Sequence, residues 1–117
     1  MKPIVIKRIY EEASENDGYR ILVDRIWPRG VSKEEAHLSE WNKNIAPSTV
    51  LRKWFDHKEE RFKEFTSKYK EELRQQTDEI NRIKSIAQTK QVTLLYAAKD
   101  EHLNQAIILS NVLNQKP

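Results

Sequence analysis

The chain has 117 residues, and its 21 basic against 18 acidic side chains give a formal charge of +3. That bias permits an acidic partner without demanding one, and it lacks the dense basic stripe of a dedicated nucleic-acid domain. Hydrophobic residues (38%) and charged residues (33%), with three Trp, four Tyr and three Phe, suit one modest core and exclude a disordered chain, so a single domain over residues 1–117 is expected. The absence of cysteine excludes disulfides, thiolate zinc sites and thiol nucleophiles.

Mean hydropathy is −0.83 and no apolar run is long enough to cross a membrane. The opening "MKPIVIKRIY" is broken by Lys7 and Arg8 and does not read as a signal peptide. Cytoplasmic residence is expected.

In chain order, "PIVIKRIY" (residues 3–10) reads as a strand. A polar stretch follows, with Asp17-Gly18 as its sharpest turn signal. "YRILVDRIW" (residues 19–27) reads as a second strand. Its continuously apolar centre, Ile21-Leu22-Val23, is expected for a strand covered on both faces, and Pro28 is expected to stop it. The link between these two strands is too short for a helical crossover. They form either a hairpin or a parallel pair with another strand between them, and the sequence leaves both open.

The middle is helical. "SKEE" (residues 32–35) fits a capping box, in which the serine oxygen and the glutamate carboxylate satisfy free N–H groups. Pro47-Ser48 offers a second helix entry, and "DHKE" (residues 56–59) repeats the box pattern. Phe62, Phe65, Tyr69 and Leu73 recur every three or four residues, one face of a helix of about five turns. Ile80, Ile83 and Ile86 continue on another helix after Thr77-Asp78. "QVTLLYAAK" (residues 91–99) is the clearest strand. Asp100 is read as the cap of a last helix whose apolar face carries Leu103, Ala106, Ile107, Leu109, Val112 and Leu113. The order implies an α/β fold with a small, mostly parallel sheet and helices packed on it.

In such folds ligands bind beyond the carboxyl ends of parallel strands. Two ends are visible: "DRIWPRG" (residues 24–30) and "YAAKDEHLN" (residues 96–104). Arg25 and Arg29 present planar donor forks suited to phosphate or carboxylate, and Gly30 permits a positive φ or close backbone approach. The plainer account pairs Asp24 with one arginine and leaves the other on the surface. Trp27 reads as a packing anchor that could also stack on a ring. Arg52 and His57 flank "KWFDH" and could complete the site, His57 as an acid–base group. Tyr96, Lys99, Asp100 and Asn104 line the second end, and Asn104, one turn into the expected helix, could face the crevice. His37 and His102 have no partner at ligand spacing, so no metal is expected. With glycine only at 18 and 30, a glycine-rich phosphate cradle is excluded. The charged run "KEERFKEFTSKYKEELR" is best read as solvated surface.

The blocks "DGYRILVDRIWPRGVSKEEA", "WNKNIAPS", "LRKWFDHKEERFKEF" and "TLLYAAKDEHLNQA" resemble, in order and over nearly the whole chain, the YeaO-like family of domains of unknown function. The resemblance implies a single α/β domain with characteristic polar positions at Asp24, Arg25, Arg29, Arg52, His57, Lys99, Asp100 and Asn104. It implies no activity or cofactor. Where it implies histidine after Asn104, this chain has Gln105, and where longer relatives carry cysteine near that turn it has none.

Two functions fit the residues. One is an arginine-lined crevice for a small anion, phosphate or nucleotide, with no cofactor. The other, less favoured, is a non-enzymatic module that binds nucleic acid or protein. Oligomeric state is not legible.

Overall fold

The computed structural model describes residues 2–115. Four strands, β1 (Val5–Arg8), β2 (Tyr19–Leu22), β3 (Glu40–Trp41) and β4 (Val92–Tyr96), form one sheet. Five helices accompany them among the described residues: α1 (Lys33–Ala36), α2 (Thr49–Phe55), α3 (Phe62–Leu73), α4 (Thr77–Ala87) and α5 (Gln105–Asn114). The order is β1-β4-β2-β3, with every pairing parallel. The α/β fold expected from the sequence is present. Of the two arrangements left open for the first strands, the chain adopts the parallel one, with β4 inserted between β1 and β2.

The apolar run in β2 explains itself through the strand period of two, which sends alternate side chains to opposite faces. Ile21 and Val23 join the larger core with Val92, Leu94 and Tyr96, beneath α2 to α5. Leu22 points the other way, with Leu95 and Ile9, into a smaller core closed by Ala36, Trp27 and Trp41. None of Ile21, Leu22 or Val23 is exposed, because the sheet is covered on both sides.

Several boundaries differ from expectation. β2 ends at Leu22, well before Pro28. The helix carrying Phe65, Tyr69 and Leu73 has 12 residues, about three turns. Asp56 does not open a capping box; it ends α2 in the left-handed region (φ 48°), its N–H donating to the Arg52 carbonyl. Nor does Asp100 cap the last helix, whose cap is Asn104. β3, two residues long, is too short to leave a sequence signal. The capping box at Ser32 and Glu35 and the Ser48 cap of α2 form as read.

A buried ionic clamp ties the second face together. Asp17 receives Lys7 of β1 at 3.0 Å and Arg20 of β2 at 2.5 Å, while its carbonyl accepts from Thr93 of β4 at 2.8 Å. Arg20 also donates to the Ala36 and His37 carbonyls at the end of α1. The outer edge of β1 is closed by side chains. Asn114 of α5 bonds both the N–H and the C=O of Ile4, at 2.8 and 2.9 Å, and the Glu11 carboxylate accepts from the Arg8 N–H at 3.0 Å. Such cover blunts edge-to-edge pairing.

Candidate functional site

Because all strands run parallel, the carboxyl ends of β1, β4 and β2 share one edge of the sheet. Asp24 sits there and explains why β2 stops. Its carbonyl accepts from the Trp41 indole N–H at 2.7 Å. Its carboxylate accepts from the Ala97 N–H at 3.0 Å and from the side-chain amide of Gln105, the first residue of α5. Side chains thus replace the backbone ladder on both flanks. Burial pushes the Asp24 pKa up from 3.8 to about 6, against the opposing pull of the Ala97 N–H, the Gln105 amide and the Arg52 charge. No cation lies within ion-pair distance of Asp24 among the described residues, so the expected pairing with Arg25 or Arg29 does not form.

The two arginines of "DRIWPRG" have separate fates. Arg25 donates from Nε to the Pro47 carbonyl (2.9 Å) and from Nη2 to that of Ala46 (3.2 Å). It clamps the chain entering α2 and borders a cleft of about 270 Å³ with Ile45, Tyr69, Glu72 and Gln76. Within that wall the Tyr69 hydroxyl donates to the Ile45 carbonyl at 2.6 Å, and burial drives its pKa up. Arg29 is exposed. Its carbonyl accepts from the Tyr10 hydroxyl at 2.9 Å, while its guanidinium makes no hydrogen bond or ion pair among the described residues. The same holds for the side chains of Arg52 and Lys99, both exposed.

Trp27 is a packing residue. Its indole N–H donates to the Val31 carbonyl at 2.7 Å, and its ring meets Trp41 edge-on with centroids 5.2 Å apart. Gly30 has φ 79°, and a Cβ there would meet nothing within 4 Å, so the turn needs its backbone conformation rather than close approach. Tyr96 is buried in the larger core, which raises its pKa. Asp100 accepts from the N–H groups of His102 and Leu103 at 2.8 and 2.9 Å, bonds that hold its carboxyl below the usual range. Asn104 is 1% exposed. It accepts from the Ile107 N–H at 3.0 Å and donates to the Asp100 carbonyl at 2.9 Å, so it does not face the crevice. His57 is exposed with φ 54°, directly after Asp56, two consecutive left-handed residues at the exit of α2.

The site therefore divides. Asp24 and Gln105 meet between β2, β4 and α5, with Asn104 buried as the cap of α5 and Asp100 exposed. Arg29, Arg52 and Lys99 remain as cations with no hydrogen bond or ion pair among the described residues, Arg52 acting on Asp24 through its charge alone. Sequence reading missed Gln105 and Tyr10 as contacts of the site. In the sequence Gln105 stands out only as a departure from the family resemblance, and Tyr10 only as the end of a strand pattern. No group of three or more acidic or histidine side chains among the described residues could hold a metal ion, and no described helix is long and apolar enough to cross a membrane.

A family model described as the inactive DUF488-N3 subclade matches residues 3–117. The uncharacterized protein YeaO of Escherichia coli is 46% identical over 110 residues, 94% of this chain and 96% of that protein. Uncharacterized proteins of Mycobacterium bovis and Mycobacterium tuberculosis are each 38% identical over 109 residues, 93% of this chain and 92% of theirs. No solved structure matches the chain.

Proposed function

The chain belongs to the DUF488 family, in the subclade described as inactive, and from that premise we propose that it is a binding domain whose ligand is a small anion, a phosphate or nucleotide, held at the carboxyl edge of the sheet. The observation that carries this reading is the set Arg29, Arg52 and Lys99, three cations on one edge with no hydrogen bond or ion pair to the rest of the described chain. Arginine forks and a lysine point charge suit phosphate oxygens. Arg25 contributes indirectly, by holding the entry to α2 on which Arg52 rides.

A non-catalytic role agrees with the floor of the crevice. The Asp24 carboxylate is bonded to the Gln105 amide, where the family resemblance implies histidine. An amide does not exchange protons as a base at neutral pH, so the pair lacks the partner that acid–base catalysis requires.

The test is a thermal-shift screen of inorganic phosphate, pyrophosphate, ribose 5-phosphate and adenosine monophosphate on the native chain and on Arg29→Ala/Arg52→Ala. A ligand at a hundredfold over its Kd adds about 2.7 kcal/mol, a shift of roughly 10 °C for a domain this size. The expected result is a shift that the double variant loses. No shift with any of these compounds sinks the reading.

A further inference from the structure

Tyr10 lies two residues beyond β1, on the same edge as Arg29 and Lys99, and belongs to neither core. It is 46% exposed, unusually open for an aromatic side chain. Its ring is nonetheless held at both ends. The hydroxyl donates to the Arg29 carbonyl at 2.9 Å. The Arg8 guanidinium stands over the ring, 5.0 Å from its centre, and is itself anchored by the Ala98 carbonyl at 2.9 Å and the Ala97 carbonyl at 3.3 Å. Lys99 is the next residue. One aromatic ring, fixed in place and open to solvent, is thus tied by a hydrogen bond to the Arg29 backbone and by a cation–π contact through Arg8 to the backbone before Lys99, and neither cation has a hydrogen bond or ion pair among the described residues.

We infer that Tyr10 is a stacking platform for a nucleobase, and that the ligand of this edge is a nucleotide unit whose phosphate is taken by Arg29 and Lys99. An exposed ring costs less to use when its orientation is already set, because little side-chain freedom is lost on binding. Cations beside an exposed aromatic face are the means by which proteins hold single nucleotides along a strand without reading sequence. Arg8 polarises the ring from one side and adds its charge to the surface offered to the phosphate. This inference rests on the anion-binding reading above and adds to it the base. A free nucleotide and a nucleotide within a single strand share this chemistry.

The experiment is isothermal titration of the native chain with ribose 5-phosphate, adenosine monophosphate and a single-stranded 12-mer of uridylate, repeated with Tyr10→Ala and Tyr10→Phe. Adenosine monophosphate is expected to bind about tenfold more tightly than ribose 5-phosphate, which is ~1.4 kcal/mol and lies within the range for base–aromatic stacking. Tyr10→Ala should remove that advantage, bringing the two affinities together, whatever the lost bond to the Arg29 carbonyl does to both. Tyr10→Phe, which keeps the ring and loses only the bond to Arg29, should retain most of it and guards against a trivial folding defect. A 12-mer that binds more tightly than the mononucleotide, with affinity falling steeply as salt rises, identifies a strand as the source. A mononucleotide that binds at least as well identifies a free nucleotide. Equal affinities for ribose 5-phosphate and adenosine monophosphate, unchanged in Tyr10→Ala, overturn the role of Tyr10 and leave the anion site standing. Absence of binding by all three ligands overturns both.

Discussion

Asp24 and Gln105, 81 positions apart in the chain, are joined by a hydrogen bond from the glutamine amide to the aspartate carboxylate. The bond closes the gap between the end of β2 and the first turn of α5. It gives a buried carboxylate a neutral donor instead of a counter-ion. Burial therefore dominates its chemistry, and the proton is held at a pH where the unfolded chain has already released it.

The first expectation concerns that proton. Raised from 3.8 to about 6, the ionised carboxyl costs the folded state about 3 kcal/mol at neutral pH. The folded state binds the extra proton between these values, so the contribution of Asp24 to stability falls as pH rises from about 4 to about 6. Asp24→Asn keeps an acceptor for the Ala97 N–H, and the Gln105 amide can turn to present its oxygen. The variant should be more stable than the native chain at pH 8 by about 1–2 kcal/mol, since a neutral acceptor bonds less strongly than a carboxylate. That advantage should shrink toward pH 4. Urea unfolding at the two pH values measures it, and identical pH dependence in both proteins would contradict it.

Asp17 behaves in the opposite sense. Burial pushes its pKa up, but the Ser14 N–H, Lys7 and Arg20 outweigh burial and hold it below 3.8. Its stabilising effect is complete above pH 4 and is lost as pH falls through the lowered value. Arg20 is only 4% exposed, so Asp17→Ala strands a buried charge and should cost about 3–5 kcal/mol. Asp17→Ala/Arg20→Met removes the stranded charge and should recover part of the loss, as a double-mutant cycle in denaturant would show.

The two glycines should respond unequally to alanine. Both have positive φ, 65° at Gly18 and 79° at Gly30. At Gly18 a Cβ would lie 2.3 Å from the Gln91 carbonyl oxygen, the acceptor of the Tyr19 N–H that begins the pairing of β2 with β4. Gly18→Ala should cost more than about 2 kcal/mol. At Gly30 space is open, and only backbone strain of about 1 kcal/mol is expected. Comparable melting temperatures for the two variants would refute the distinction.

Arg25 and Arg52 separate stability from binding. Arg25→Ala abandons two carbonyls at the entry to α2 and should lower stability by about 1–3 kcal/mol. Arg52→Ala should leave stability within about 0.5 kcal/mol, weaken phosphate binding, and raise the Asp24 pKa above about 6 by removing the charge that lowers it. Carboxyl-carbon NMR titration of Asp24 reads the last effect directly. An unchanged midpoint would place Arg52 away from the crevice.

Features decided within a few residues were legible in the sequence. The Ser32 and Glu35 box and the Ser48 cap close bonds three residues long. The two-sided burial of Ile21 to Val23 follows from the strand period alone. Asp100 and Asn104 show where local reading stops. Both can cap a helix, and both do accept neighbouring N–H groups. Which one begins α5 depends on where the end of β4 and the Asp24 carboxylate hold Gln105.

By itself, then, the sequence determined the fold class, the order of its main elements and the edge of the sheet at which polar residues collect, because periodicity and short-range hydrogen bonds act along the chain. Tertiary structure alone decided which cations remain available there. Arg25 and Arg29 are the same residue type four positions apart, yet Arg25 meets the Pro47 carbonyl 22 residues away and Arg29 finds no side-chain partner among the described residues. Asp24 likewise acquires its raised proton affinity from the burial that the return of β4 imposes, and the Ala97 N–H that opposes it lies 73 residues distant. Donors and acceptors brought together by chain return carry no local signature, since neither partner constrains the residues beside the other.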